Sequence, residues 1–105
     1  MPKFCANLTL LYNEHEFLER FGAASRAGFK GVEYLFPYDY DKHQLAELLN
    51  RHQLAQVLHN LPAGDWAKGE RGIACHPNRV NEFQASVEKA IEYASALDCR
   101  QVNCL

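Results

Sequence analysis

Ala27-Gly28-Phe29-Lys30-Gly31-Val32-Glu33 and Ala96-Leu97-Asp98-Cys99-Arg100-Gln101-Val102-Asn103 spell the same transition: a helix end, a tight turn and the start of an apolar strand. Gly28 stands where a helix terminus favours the left-handed conformation, which glycine adopts without a Cβ penalty. Working outward, residues 4–11 are apolar and strand-like, and residues 15–26 place Phe17, Leu18, Phe21 and Ala24 at helical spacing. Residues 31–36 form a second strand stopped by Pro37, after which Asp39 or Asp41 caps a helix bearing Leu45, Leu48 and Leu49. Residues 54–58 give a third strand. A helix opening at Asn78 or Asn81 then presents Phe83, Val87, Ala90, Ile91, Ala94 and Leu97 as one continuous apolar face, and a fourth strand begins at Gln101.

Repeated βα units imply a parallel sheet, whose strands need crossover connections and are covered on both faces. The nearly continuous apolar runs fit that pattern better than strict alternation would. The choice lies between a doubly wound open sheet and a (β/α)8 barrel. A barrel takes about 250 residues, whereas 105 residues hold three βα units and the first residues of a fourth strand. Val102, Cys104 and Leu105 have no following helix to cover them. The sequence therefore reads as a single partial α/β domain, three βα units and a fourth strand of a larger parallel sheet, with a long loop between its third strand and third helix. A small complete four-stranded α/β domain is the alternative.

Composition narrows the function classes. The chain is 48% hydrophobic and 23% charged, with a formal net charge of −2. Its basic residues form no stripe for a phosphate backbone, so no nucleic-acid partner is expected. No apolar run approaches the ~18 residues a membrane helix needs, and the N-terminus lacks a signal peptide's apolar region, which predicts a cytoplasmic protein without a membrane partner. Cys5, Cys75, Cys99 and Cys104 read as free thiols; no CxxC spacing marks them as a zinc site.

Function is expected where the chain departs from compact connections. Residues 58–74, LHNLPAGDWAKGERGIA, take a His-Asn pair at the close of a strand into a loop carrying Asp65, Trp66, Glu70 and Arg71. Connections in α/β domains run about 2 to 6 residues, so a polar segment over 61–78 points to binding or lidding.

With that loop, FCANLTLLYNEHEFLERF at the N-terminus and GFKGVEYLFPYDYD, the chain resembles the hydroxypyruvate isomerase family within the xylose-isomerase-like TIM barrels. The resemblance runs over essentially the whole chain and covers about the first two fifths of a family member, which implies that residues 1–105 are the N-terminal portion of a (β/α)8 TIM barrel. It implies an aldose–ketose isomerisation of hydroxypyruvate and 2-hydroxy-3-oxopropanoate, a small oxo-acid substrate, and hydroxy-acid metabolism such as the glyoxylate routes. It also implies a divalent metal, Mg or Mn, held with the proton-transfer residues by later strands, so no catalytic or metal-binding residue is assigned in this chain. Isomerisation of a 2-oxo-tetronate, epimerisation of a keto sugar, and a noncatalytic binding module are the alternatives.

TIM-barrel sites are built at the C-terminal ends of the strands. Asn7, Glu33, His59, Asn60 and Asn103 qualify by position as substrate-binding residues. Glu33, flanked by Val32 and Tyr34, needs a partner, either in a polar site mouth or in a Lys or Arg of a neighbouring unit. His59 can donate to a substrate or be a satisfied core histidine. In the loop, Arg71 is suited to clamp a carboxylate, Glu70 to bind substrate or pair with Arg71, and Trp66 to cover a small ligand or to pack on the rim. A barrel open after its fourth strand exposes two sheet edges, which predicts aggregation, or rescue by a second copy or by the rest of the barrel, and no isomerase activity for the 105 residues alone.

Overall fold

In the computed structural model, which describes residues 1–105, four parallel strands lie side by side in chain order: β1 (Cys5–Asn7), β2 (Gly31–Glu33), β3 (Ala55–Asn60) and β4 (Val102–Asn103). Helices α1 (Arg20–Arg26), α2 (Lys42–Arg51) and α3 (Val80–Ala96) make the crossovers. Strands that follow one another without a reversal of order build a barrel wall. A doubly wound sheet would show a switch point. No helix is long and apolar enough to cross a membrane.

Several boundaries move, each for a local reason. The first strand ends at Asn7 rather than running on to residue 11, because the Asn7 carbonyl accepts the Leu10 and Leu11 N–H groups at 3.1 and 2.9 Å and turns the chain. The first helix starts as a 3-10 turn, Phe17–Glu19, before α1. The second strand ends at Glu33, short of Phe36, and β3 runs to Asn60. Asp41, not Asp39, caps α2 by accepting the His43 N–H at 2.9 Å. The third helix begins at Val80, after a 3-10 turn at Pro77–Arg79. Its inward row is Ser86, Ala90, Tyr93 and Leu97; Ile91, expected on the apolar face, is 57% exposed.

The core lies between the sheet and its helices. Ala6, Leu8, Val32 and Tyr34 face Phe21, Ala24, Leu45, Leu48, Leu49, Tyr93 and Leu97. Phe17 joins Phe21, Tyr34 and Tyr40 with ring centroids 4.9 to 5.5 Å apart, an aromatic cluster that fixes the 3-10 turn against β2. An irregularity between Val32 and Glu33 shifts the β2–β3 register, pairing Val32 with Gln56 but Glu33 with Leu58. It keeps the polar strand ends on one face.

Candidate active site

Asn7 and Glu33 are register partners, as are Asn60 and Asn103, and Glu33 stands opposite Leu58, two residues before Asn60. Side chains alternate along a strand, so these four polar residues share the face turned away from the helices. Asn7 uses both ends of its amide: Nδ2 donates to Glu33 Oε1 at 3.3 Å and Oδ1 accepts the Thr9 N–H at 3.0 Å. Thr9 Oγ1 in turn accepts the Leu35 N–H at 2.9 Å, locking the ends of β1 and β2 together. Glu33 is the one acid within the strands and pairs with no Lys or Arg. Its second oxygen lies 4.0 Å from Cys5 Sγ, whose thiol is pushed up to about 11 by burial and by the carboxylate.

His59 is not brought to this face. It is fully buried on the helix side, with Nε2 3.3 Å from the Ala90 carbonyl and its ring against Tyr38 at 6.1 Å. Burial lowers its pKa and keeps the imidazole neutral, while Nδ1 has no partner. That placement is the core-histidine reading, with the imidazole bracing α3 on the sheet. Its neighbour Asn60 is held by backbone alone: its N–H donates to Leu35 at 2.9 Å and its carbonyl accepts the Tyr38 hydroxyl.

The long connection is folded, not loose. Ala63 and Ile73 are buried and anchor it, and a 3-10 turn at Trp66–Lys68 is capped by Asp65 and closed at Gly69 with φ +95°. The segment crosses several strand ends. Trp66 packs edge-on against Phe36 at 4.9 Å, just beyond β2, while Gly72 meets the backbone of Leu105, just beyond β4. A Cβ on Gly72 would stand 2.4 Å from the Leu105 carbonyl, and its φ of +111° is glycine territory. Arg71 sits over the Trp66 ring, its guanidinium carbon 3.7 Å from the ring centroid, and Nη1 donates to the Trp66 and Glu70 carbonyls at 3.0 and 2.8 Å. Its Nη2 and Nε have no partner within the chain, and the residue is exposed. A cleft of about 200 Å³ lined by Phe36, Tyr38, Asp39, Pro62 and Trp66 opens beside this stack.

Glu70 does not pair with Arg71. Its carboxylate takes the forked guanidinium of Arg79 and the Asp65 N–H, the latter at 2.6 Å. Those bonds, the Arg79 pair first, hold the carboxyl down to about 2. No three His, Cys, Asp or Glu side chains converge anywhere in the chain. Glu33 with an amide neighbour does not by itself fit a divalent cation.

A family model described as xylose isomerase-like TIM barrel matches residues 21–105. The chain belongs to the xylose isomerase-like TIM barrel family. Within it, the chain is 54% identical over all 105 residues to a hydroxypyruvate isomerase of Escherichia coli and 50% identical to a 2-oxo-tetronate isomerase of Haemophilus influenzae, spanning 41% of each. A crystal structure from Brucella melitensis titled AP endonuclease, family 2, superposes with a TM-score of 0.95 at 55% identity, over 97% of this chain and 40% of that one. The chain thus spans about two fifths of the relatives it matches.

Three residues that tie the strand ends and the long connection together escaped the sequence reading: Thr9, Tyr38 and Arg79. Thr9 was detectable, since an Asn two residues before a Thr is an Asx-turn pattern. Arg79, remote from Glu70 in sequence and at the mouth of a helix, carried no local signal.

Proposed function

We propose that this chain forms the substrate-orienting side of an aldose–ketose isomerase for short 2-oxo acids, interconverting hydroxypyruvate and 2-hydroxy-3-oxopropanoate. The observation that carries the reading is identity of 54% along every residue of the chain to a protein of that name. In the reaction a proton leaves C3 of hydroxypyruvate, the electron pair moves into the C2–C3 bond, and the C2 carbonyl oxygen becomes the enediolate oxyanion. A proton returns to C2, the oxyanion is protonated, and the C3 hydroxyl gives up its proton to become the aldehyde.

This chain's groups orient and shield. Arg71, with Nη2 and Nε free, takes the substrate carboxylate in a two-point grip. The Asn60 and Asn103 amides supply donors to the oxyanion. Glu33, steadied by Asn7, accepts from a substrate hydroxyl, and Trp66 excludes water above. The groups that remove and return the carbon-bound proton belong, in this reading, to strands beyond the four described. Free thiols at all four cysteines support a reducing, cytoplasmic setting. The net charge of −2 gives no support to a nucleic-acid substrate.

A second substrate is favoured by relatives named 2-oxo-tetronate isomerase at 47 to 50% identity. The deciding experiment completes the barrel by joining residues 1–105 to the remaining length of the Escherichia coli relative and compares hydroxypyruvate with 2-oxo-tetronate. Arg71→Ala should raise KM for hydroxypyruvate about tenfold or more with little change in kcat, as expected for losing a charge-assisted carboxylate contact. An unaltered KM would remove Arg71 from the site, and no turnover of either acid would sink the isomerase reading.

A further inference from the structure

Glu70 sits at the centre of the long connection and is tied both inward and outward. Inward, its Oε1 accepts the Asp65 N–H, drawing the turn before Trp66 tight; Gly64, at φ +85°, makes room, since a Cβ there would stand 2.5 Å from that same oxygen. Outward, both Glu70 oxygens meet the Arg79 guanidinium, one of them at 3.2 Å. Arg79 is in turn fixed by Glu82 in the first turn of α3, through Nε at 2.9 Å and Nη2 at 2.8 Å. Both side chains of the central pair are largely sheltered, Arg79 at 24% and Glu70 at 32% exposure. A fork held between two carboxylates is a rigid joint, because its donors are planar and all point in fixed directions.

Resting on the reading of this segment as the cover of the substrate site, we infer that Arg79 is its positioning residue. Through Glu70 it transmits the fixed position of α3 to the Trp66–Arg71 stack, which it does not itself touch. The cover is therefore set before substrate arrives, and the donors of Arg71 are aimed by a residue eight positions away in sequence. A plain surface ion pair at a helix start would stabilise the fold slightly and leave Trp66 unmoved.

Trp66 is the only tryptophan, so its fluorescence reports the cover directly and without any substrate. Acrylamide quenching would be compared at 25 °C in the wild-type chain, Arg79→Gln, Glu70→Gln, the double variant and Arg79→Lys, each checked for native far-UV circular dichroism. The expected result is a quenching constant raised about twofold in either single variant, no further increase in the double, and partial rescue by lysine, which keeps the charge but loses the fork. Unchanged quenching in folded Arg79→Gln, or single effects that simply add, would overturn the proposal. If Arg79→Gln does not fold, Glu70→Gln and Arg79→Lys are judged by the same criterion. Hydroxypyruvate binding to the completed barrel, measured by isothermal titration calorimetry, separates the two readings. Quenching changes without any response to hydroxypyruvate leave Arg79 as the positioning residue of a site for another ligand.

Discussion

His59 shows how one buried side chain couples this fold to pH. Its folded pKa lies below the ordinary histidine value, so below about pH 6.5 the unfolded chain binds a proton that the folded chain refuses. Stability contributed by the neutral imidazole is therefore complete above that pH and is lost as pH falls toward the folded value. Urea unfolding at pH 7.5, 6.5 and 5.5 should show a loss of up to about 1.4 kcal/mol per pH unit in the wild type, the slope for one proton. His59→Phe should flatten that slope; an identical slope in both would mean the ring is solvated or another group carries the effect. Glu70 titrates in a separate window, its folded carboxyl at about 2 giving a contribution retained until pH drops below the ordinary carboxylate range. Gly72 tests the close approach beyond β4. Gly72→Ala must hold φ near +111° and push against the Leu105 backbone, so a cost of about 2 kcal/mol or more is expected in the same unfolding assay.

At the scale of elements, the α2 cap is the cleanest test of a signal read from sequence. Asp41→Ala removes the acceptor for the His43 N–H and should cost about 1 kcal/mol, lowering the thermal midpoint by several degrees, while Asp39→Ala should leave it unmoved. The βα order was legible because helix periodicity, Gly28 and Pro37 act locally, within a turn or two of where they stand. Strand ends were less so, since Leu10 and Leu11 are apolar yet lie outside the sheet at 68% and 43% exposure, turned away by a bond to the Asn7 carbonyl. The faces of β3 were the hardest to assign. A register shift between Val32 and Glu33 decides which side chains look toward the helices, and nothing in residues 55–60 announces it. Asn7, Glu33, Asn60 and Asn103 were found as strand ends by type and position. That Arg79 and not Arg71 holds Glu70 depends on how an entire connection folds back on α3.

For the whole molecule, the same sheet that assembles the polar rim leaves it open. β1 and β4 each pair on one side only, so both edges carry unpaired backbone groups, and the face bearing Asn7 and Glu33 is lined by half-buried Cys5, Val57 and Leu58. Enediolate chemistry needs a base and an acid placed about the reacting carbons in a site that sheds water, yet Glu33 is the single acid within the four strands. The 105 residues by themselves are therefore expected to give no turnover of hydroxypyruvate, and their open edges to favour association with a second copy. The measurement is an isomerase assay on the purified chain beside sedimentation velocity, with the completed barrel as the positive control. Turnover by the 105-residue chain above the uncatalysed rate would show that four strands, alone or as a closed pair of copies, already hold every group the proton transfer requires. It would also make Glu33 a candidate for the general base.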